Sequence, residues 1–126
     1  LKGDNYQFEC LKNKKYFFAQ GMNYPHKNGI RMIEAFYNIL NNSGSSMTGE
    51  YKLVVTGPEG EYKETLKEYS KKLKIDEKIL FLGFVSKEEL ASLYRGAIAM
   101  VYPSKHEGFG IPVLESMACG CPVLIA

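Results

Sequence analysis

Arginine is nearly missing from this chain: Arg31 and Arg95 are the only two, and 16 basic residues against 14 acidic ones leave a net charge of +2 spread along the 126 positions. No basic face is concentrated enough to suggest nucleic acid as a partner. Nowhere do eighteen apolar residues follow one another, and no charged start leads into an apolar block, so neither a membrane span nor a secretory signal can be read. Cysteine is sparse and odd in number, with Cys10, Cys119 and Cys121, which fits a reducing compartment better than a disulfide scaffold. The expectation is a soluble, cytoplasmic protein. Cys119 and Cys121 with His106 would be too few ligands for a metal centre, and two small buried residues is the other reading of the pair.

The common phosphate motifs are missing too. A dinucleotide fingerprint needs G-x-G-x-x-G after the first strand, where only Gly21 and Gly29 stand; a P-loop needs Gly-Lys-Ser/Thr, and the run from Gly57 to Gly60 is followed by Glu61 and Tyr62. Hydride transfer and nucleotide hydrolysis lose support accordingly. No Asp-x-Asp occurs, in keeping with a site that works without a metal.

What is present is one domain's worth of chain, with 45% apolar and 13% aromatic residues, enough for a single packed core. Residues 1–13 show no period and read as a linker or lead-in; the domain is expected to fill 14–126. The apolar run 16–21 reads as a strand buried on both faces. After a loop over 22–28, Ile30, Ile33, Phe36, Tyr37 and Leu40 recur at helical spacing. A solvated connector over 41–50 leads to a strand at 51–57, and Tyr62, Leu66, Tyr69 and Leu73 mark a second helix. A strand at 78–83 follows, then the capping box Ser86-Lys-Glu-Glu89, which opens a helix through Leu90, Leu93 and Tyr94. A strand at 97–102, a helix led by Pro112 and a strand starting at Pro122 complete the series. Because the chain starts at Leu1 and stops inside this last apolar run, a piece of a larger protein, incomplete at the C-terminus, is expected.

Strands alternating with helices imply right-handed crossovers, hence an α/β, Rossmann-like doubly wound parallel sheet. In the common strand order 3-2-1-4-5, the crevice between the first and fourth strands takes the ligand. The loop after the first strand carries His26 and Lys27, and the loop after the fourth carries residues 107–110, so the two most chemically loaded loops flank one crevice. Lys27 precedes a helix start whose free amides and dipole favour an anion, which would make a diphosphate site; an ordinary solvated lysine is the plainer alternative. Gly108 and Gly110 permit close backbone approach, so the amides of Phe109, Gly110 and Ile111 would meet ligand oxygens, with Glu107 accepting from sugar hydroxyls. Glu115 would hold a ribose in the same way, or else only serve the dipole of its own helix.

These segments together resemble the C-terminal domain of the group 1 (family 4) retaining glycosyltransferases. The resemblance runs in order over residues 14–126, through Gly21, Pro25-His-Lys-Asn28, Ile33-Glu-Ala-Phe36, Leu53-Val-Val-Thr-Gly57, Phe81-Leu-Gly-Phe-Val85 and Pro103-Ser-Lys-His-Glu-Gly-Phe-Gly-Ile-Pro-Val-Leu-Glu115. Two glutamates eight positions apart around Gly-Phe-Gly-Ile-Pro are its most specific part. The resemblance implies the donor half of a two-domain GT-B enzyme that holds a nucleotide sugar, such as a UDP- or GDP-sugar, as substrate and uses no separate cofactor. Transfer would go, with retention, to an acceptor glycan, lipid or small molecule held by an N-terminal domain, through which a peripheral contact with the inner face of a membrane stays open.

By that resemblance the candidate catalytic residues are Lys27, on the diphosphate, and Glu107, on the donor sugar. Gly21, Gly108, Phe109, Gly110, Ile111 and Glu115 would complete the donor site, with Phe84 and Val85 near the base; His26 and His106 depart from the family pattern, His106 standing where an aromatic is common and either reaching a sugar or phosphate oxygen or being a bystander. Relatives commonly carry an arginine just after the first glycine or just before the lysine, where this chain has Met22 and His26. His26 would replace that charge only when protonated, since a free imidazole titrates near ~6.5. The clamp short of one arginine motivates a second reading, a non-catalytic nucleotide-sugar-binding or assembly module on the same fold.

Overall fold

The computed structural model describes residues 15–20, 29–42, 51–102 and 118–125. Five strands lie in one parallel sheet: β1 (Lys15–Ala19), β2 (Tyr51–Thr56), β3 (Ile79–Leu82), β4 (Ala99–Tyr102) and β5 (Val123–Ile125). The helices between them are α1 (Gly29–Asn42), α2 (Glu61–Lys72) and α3 (Lys87–Gly96). The strand order is β3-β2-β1-β4-β5, the common doubly wound order assumed in placing the crevice. The helix expected behind Pro112 lies outside the described residues.

Alternation along each strand splits the core into two layers, because successive side chains point to opposite faces. Tyr16, Phe18, Val54 and Met100 turn to one face and pack with Leu93, Tyr94 and Cys121; Ala19, Leu53, Val55 and Ile79 turn to the other and meet Met32, Ile33, Phe36 and Leu66. One layer is therefore covered by α3, the other by α1 and α2. The register keeps like faces together, with Phe18 opposite both Val54 and Met100. Phe18, fully buried, meets Tyr94 edge to face with ring centroids 5.2 Å apart.

Element ends differ from the apolar runs for local reasons. Residues Asp76–Lys78 form a 3-10 turn, so β3 starts at Ile79 rather than at Lys78. Ala97 caps α3, its N–H donating to the Leu93 and Tyr94 carbonyls at 3.1 and 3.4 Å, so β4 starts at Ala99. Pro122 stands just before β5 and accepts the Met100 N–H at 2.8 Å. Helix α2 ends in a Schellman motif: Lys74 takes a left-handed φ of 63°, its N–H reaches the Lys71 carbonyl, and the Ile75 N–H reaches that of Ser70, both at 3.0 Å. Ile75 is thereby turned back into the core.

Candidate functional site at the carboxyl edge of the sheet

β1, β2 and β3 end side by side, with Ala19 opposite Val55 and Thr56 opposite Leu82. A cleft of about 300 Å³ opens beyond these ends. Gln20, Thr56, Gly57 and Pro58 form one side, Gly83, Phe84 and Val85 another, and Ser86, Lys87 and Leu90 of the α3 start close the third. This is the edge where parallel sheets bind ligands, since their loops and helix starts converge there.

The α3 wall is held by local chemistry. Ser86 Oγ accepts the Glu89 N–H at 3.1 Å while the Glu89 carboxylate accepts the Ser86 N–H at 2.8 Å, so the expected capping box is complete. Val85 before the cap and Leu90 after it both pack on the same core layer, as a hydrophobic staple does. Val85 is thus fixed at the cleft, whereas Phe84 beside it is 90% exposed. An apolar ring standing free at the lip is a surface that a flat ligand would cover.

Gln20 extends β1 into the cleft, and the Tyr94 hydroxyl donates to its Oε1 at 2.5 Å. With the carbonyl oxygen engaged, the two amide N–H groups are what Gln20 has to offer a ligand. Behind the opposite wall lies Lys63 of α2, 3% exposed, whose Nζ donates to the Gly57 carbonyl at 3.0 Å, the Leu82 carbonyl at 3.2 Å and Glu59 Oε2 at 2.9 Å. That hydrogen bond and the nearby charges of Lys63 and Lys67 hold the Glu59 carboxyl below the usual carboxylate range. Lys67 lies 3.8 Å from Glu59 and 3.4 Å from Glu64.

Helix α1 carries no acid in its first turn, so its own side chains do not neutralise the positive end of its dipole. One of its first-turn amides is occupied, since the Ile30 N–H donates to the Tyr62 hydroxyl at 3.3 Å. Gly29 sits so close to α2 that an added Cβ would lie 2.9 Å from Leu66 Cδ1, which ties the start of α1 to α2.

Of the residues singled out in the sequence, Phe84 and Val85 come together at the cleft. Gly21, His26, Lys27, His106, Glu107, Gly108, Phe109, Gly110, Ile111 and Glu115 lie outside the described residues. The strands that precede those segments, β1 and β4, are parallel neighbours, with Phe18 opposite Met100. Cys121 is buried in the core and Cys119 packs against the same layer, so the pair behaves as small core residues. Sequence reasoning passed over Gln20, Tyr94 and Lys63. Lys63 alone left a trace, because it shares the inward helical face of Leu66 and Ser70 at spacings of three and seven.

Residues 5–126 match the family model described as glycosyl transferases group 1. The chain belongs to the group 1 glycosyltransferases. Among curated relatives, this group 1 domain is 35% identical over 115 residues to the O-antigen chain mannosyltransferase RfbU of Salmonella typhimurium, which covers 91% of the chain and 30% of that protein. It therefore spans less than a third of that relative's length. The C-terminal domain of the group 1 family protein LpcC from Francisella tularensis superposes with a TM-score of 0.75 at 27% identity, over 99% of this chain and 64% of the other. Anabaena HepE, solved in complex with UDP-glucose, shares the fold with a TM-score of 0.76 at 19% identity, over 98% of this chain and 33% of HepE. As a group 1 glycosyltransferase segment, the chain shares the fold of a C-terminal domain of its family. Among its described residues, no helix is long and apolar enough to cross a membrane.

Proposed function

We propose that residues 14–126 are the donor half of a glycosyltransferase that binds a nucleoside diphosphate sugar and passes its glycosyl group, with retention, to an acceptor held by a second domain. The observation that carries this reading is the cleft at the ends of β1, β2 and β3, with Phe84 exposed on its lip and Val85 fixed by the α3 cap. Its volume, about 300 Å³, is at the lower end of what small-ligand clefts have. The base would rest against Phe84 and Val85, and the Gln20 amide would donate to one of its carbonyl oxygens. The diphosphate would extend toward the start of α1, whose dipole no first-turn acid offsets.

Sugar transfer requires a nucleoside diphosphate to leave while positive charge builds on the anomeric carbon, so stabilising the departing phosphate is the main electrostatic task. Lys27 and the remaining α1 amides would perform it without a metal, while Glu107 and the amides after it hold the donor sugar and Glu115 the ribose. The similarity to an O-antigen mannosyltransferase supports assembly of a surface glycan as the setting. The complex of HepE with UDP-glucose supports a nucleotide sugar as ligand.

Calorimetric titration of the full chain with UDP and with GDP tests the reading. One of the two is expected to bind, with Lys27→Ala and Glu115→Ala each weakening it at least about tenfold, as loss of a charge-assisted contact does. Absence of binding by both nucleotides at millimolar concentration overturns it.

A further inference from the structure

Lys63 is an expensive residue to have at its position. An ammonium group removed from water is poorly compensated unless every donor is satisfied, and an apolar side chain of similar volume commonly does as well or better for stability. Here all three N–H groups are used, and two of them hold backbone carbonyls at the carboxyl ends of adjacent strands, Gly57 after β2 and Leu82 at the end of β3. The third holds Glu59, which is 71% exposed and returns the opposite charge from the solvent side.

The two carbonyls belong to the backbone that forms the cleft, since Gly57 and Pro58 line one wall and Gly83 to Val85 line the next. Among the described residues, strand pairing with Thr56 holds Leu82 and the core layer holds Val85, but the stretches between have little else to hold them. Gly57 sits at φ 149°, a region closed to most side chains, and a Cβ added to Gly83 would meet nothing within 4 Å. Phe84 is 90% exposed and anchors nothing. The 83–85 turn is therefore fixed at its far end by the Ser86 cap and at its near end by the bond from Lys63 to Leu82.

We infer that Lys63 is a positioning residue that sets the distance between the 57–60 and 83–85 loops, and with it the width of the cleft. Its effect on nucleotide affinity rests on the donor-site reading above, but its effect on the loops does not. The clasp acts through backbone carbonyls and needs no contact with ligand.

Lys63→Met in the full chain, followed by amide hydrogen exchange and by nucleotide titration, tests the inference. Exchange is expected to quicken about tenfold or more at Glu64 and Ser86, whose N–H groups bond to Gly60 and Glu89 at the inner ends of the two loops, with β1 and the body of α3 unchanged, as loss of a buried charge-assisted bond would produce locally. Nucleotide affinity of the folded protein is expected to fall by a similar factor, and Lys63→Arg, which keeps charge and several donors, to recover part of both. Ile75→Ala, a core change just past the far end of the same helix, serves as control and should lower the melting temperature while leaving the affinity of folded molecules as it was.

Unchanged exchange at Glu64 and Ser86 overturns the clasp, and so does quickening spread evenly over the whole sheet, which marks a merely structural lysine. If Lys63→Met does not fold, Lys63→Gln carries the same comparison, with a smaller local quickening expected and an unchanged pattern again overturning the inference. Should the unaltered protein bind neither UDP nor GDP, the donor-site reading fails while the exchange pattern still decides for or against the clasp.

Discussion

At residue scale, Gly96 fits closely against Tyr16. The Tyr16 hydroxyl donates to the Leu93 carbonyl at 2.7 Å, and a Cβ built on Gly96 would stand 2.7 Å from that same oxygen. Tyr16 is 5% exposed and its ring is rigid, so it has little room to withdraw. Gly96→Ala sets two effects against each other: alanine gains up to about 1 kcal/mol in helix propensity, less at a terminal residue, while overpacking costs about 1–3 kcal/mol. Overpacking wins, and a net loss of about 1–2 kcal/mol is expected by urea denaturation. Tyr16→Phe removes the offending oxygen and leaves the Leu93 carbonyl still bonded to the Ala97 N–H. The double variant Tyr16→Phe/Gly96→Ala should therefore lose less than the sum of the single changes; strict additivity would show that Cβ and hydroxyl do not meet.

At the scale of elements, α1 and α2 lie on the same face of the sheet and are tied at two points. The Tyr62 hydroxyl accepts the Ile30 N–H near the start of both helices, and the Tyr69 hydroxyl donates to Glu34 Oε2 at 2.9 Å further along. Donation to that carboxylate holds the Tyr69 phenol above its usual range, with burial and the negative charge acting in the same direction. A group whose pKa is raised by folding stabilises the fold fully below its unfolded value, near 10.0 here, and loses that contribution as pH rises through the folded one. Wild type should thus exceed Tyr69→Phe in stability at pH 8 by no more than about 1 kcal/mol, the usual range for a partly exposed bond to a charged group. The gap should narrow as pH climbs past 10.0. Urea midpoints of both proteins measured from pH 8 upward give the result, and a gap that persists would mean that the hydroxyl does not link the helices.

At the scale of the whole molecule, what could be read from the sequence divides by how far apart the interacting residues lie. Strands buried on both faces, alternating with helices of period 3.6, made the parallel doubly wound sheet legible, whereas the order β3-β2-β1-β4-β5 was only assumed as the common one for such sheets. The Ser86 cap was legible because its partner is three residues away. Lys63 and Tyr94 were not, since their partners come from other strands: Leu82 is 19 residues from Lys63, and Gln20 is 74 from Tyr94. The cleft is made of such long-range meetings, and of its walls only Phe84 and Val85 had been named as site residues in advance. A ligand seated there would touch the ends of three strands and the start of α3, so it would stabilise the sheet as a unit. A nucleotide present at a hundred times its dissociation constant should add about 2.7 kcal/mol, a rise in melting temperature on the order of ten degrees for a domain of this size. Gly96 lies at the far end of α3 from Ser86, separated by a helix of 10 residues. Gly96→Ala should therefore start from a lower melting temperature and show the same nucleotide-dependent rise, because sites this far apart combine additively. Calorimetric scans of both proteins with and without UDP or GDP would reveal it; a rise that shrinks in Gly96→Ala would mean that the nucleotide is felt at the amino end of the sheet as well as at its carboxyl edge.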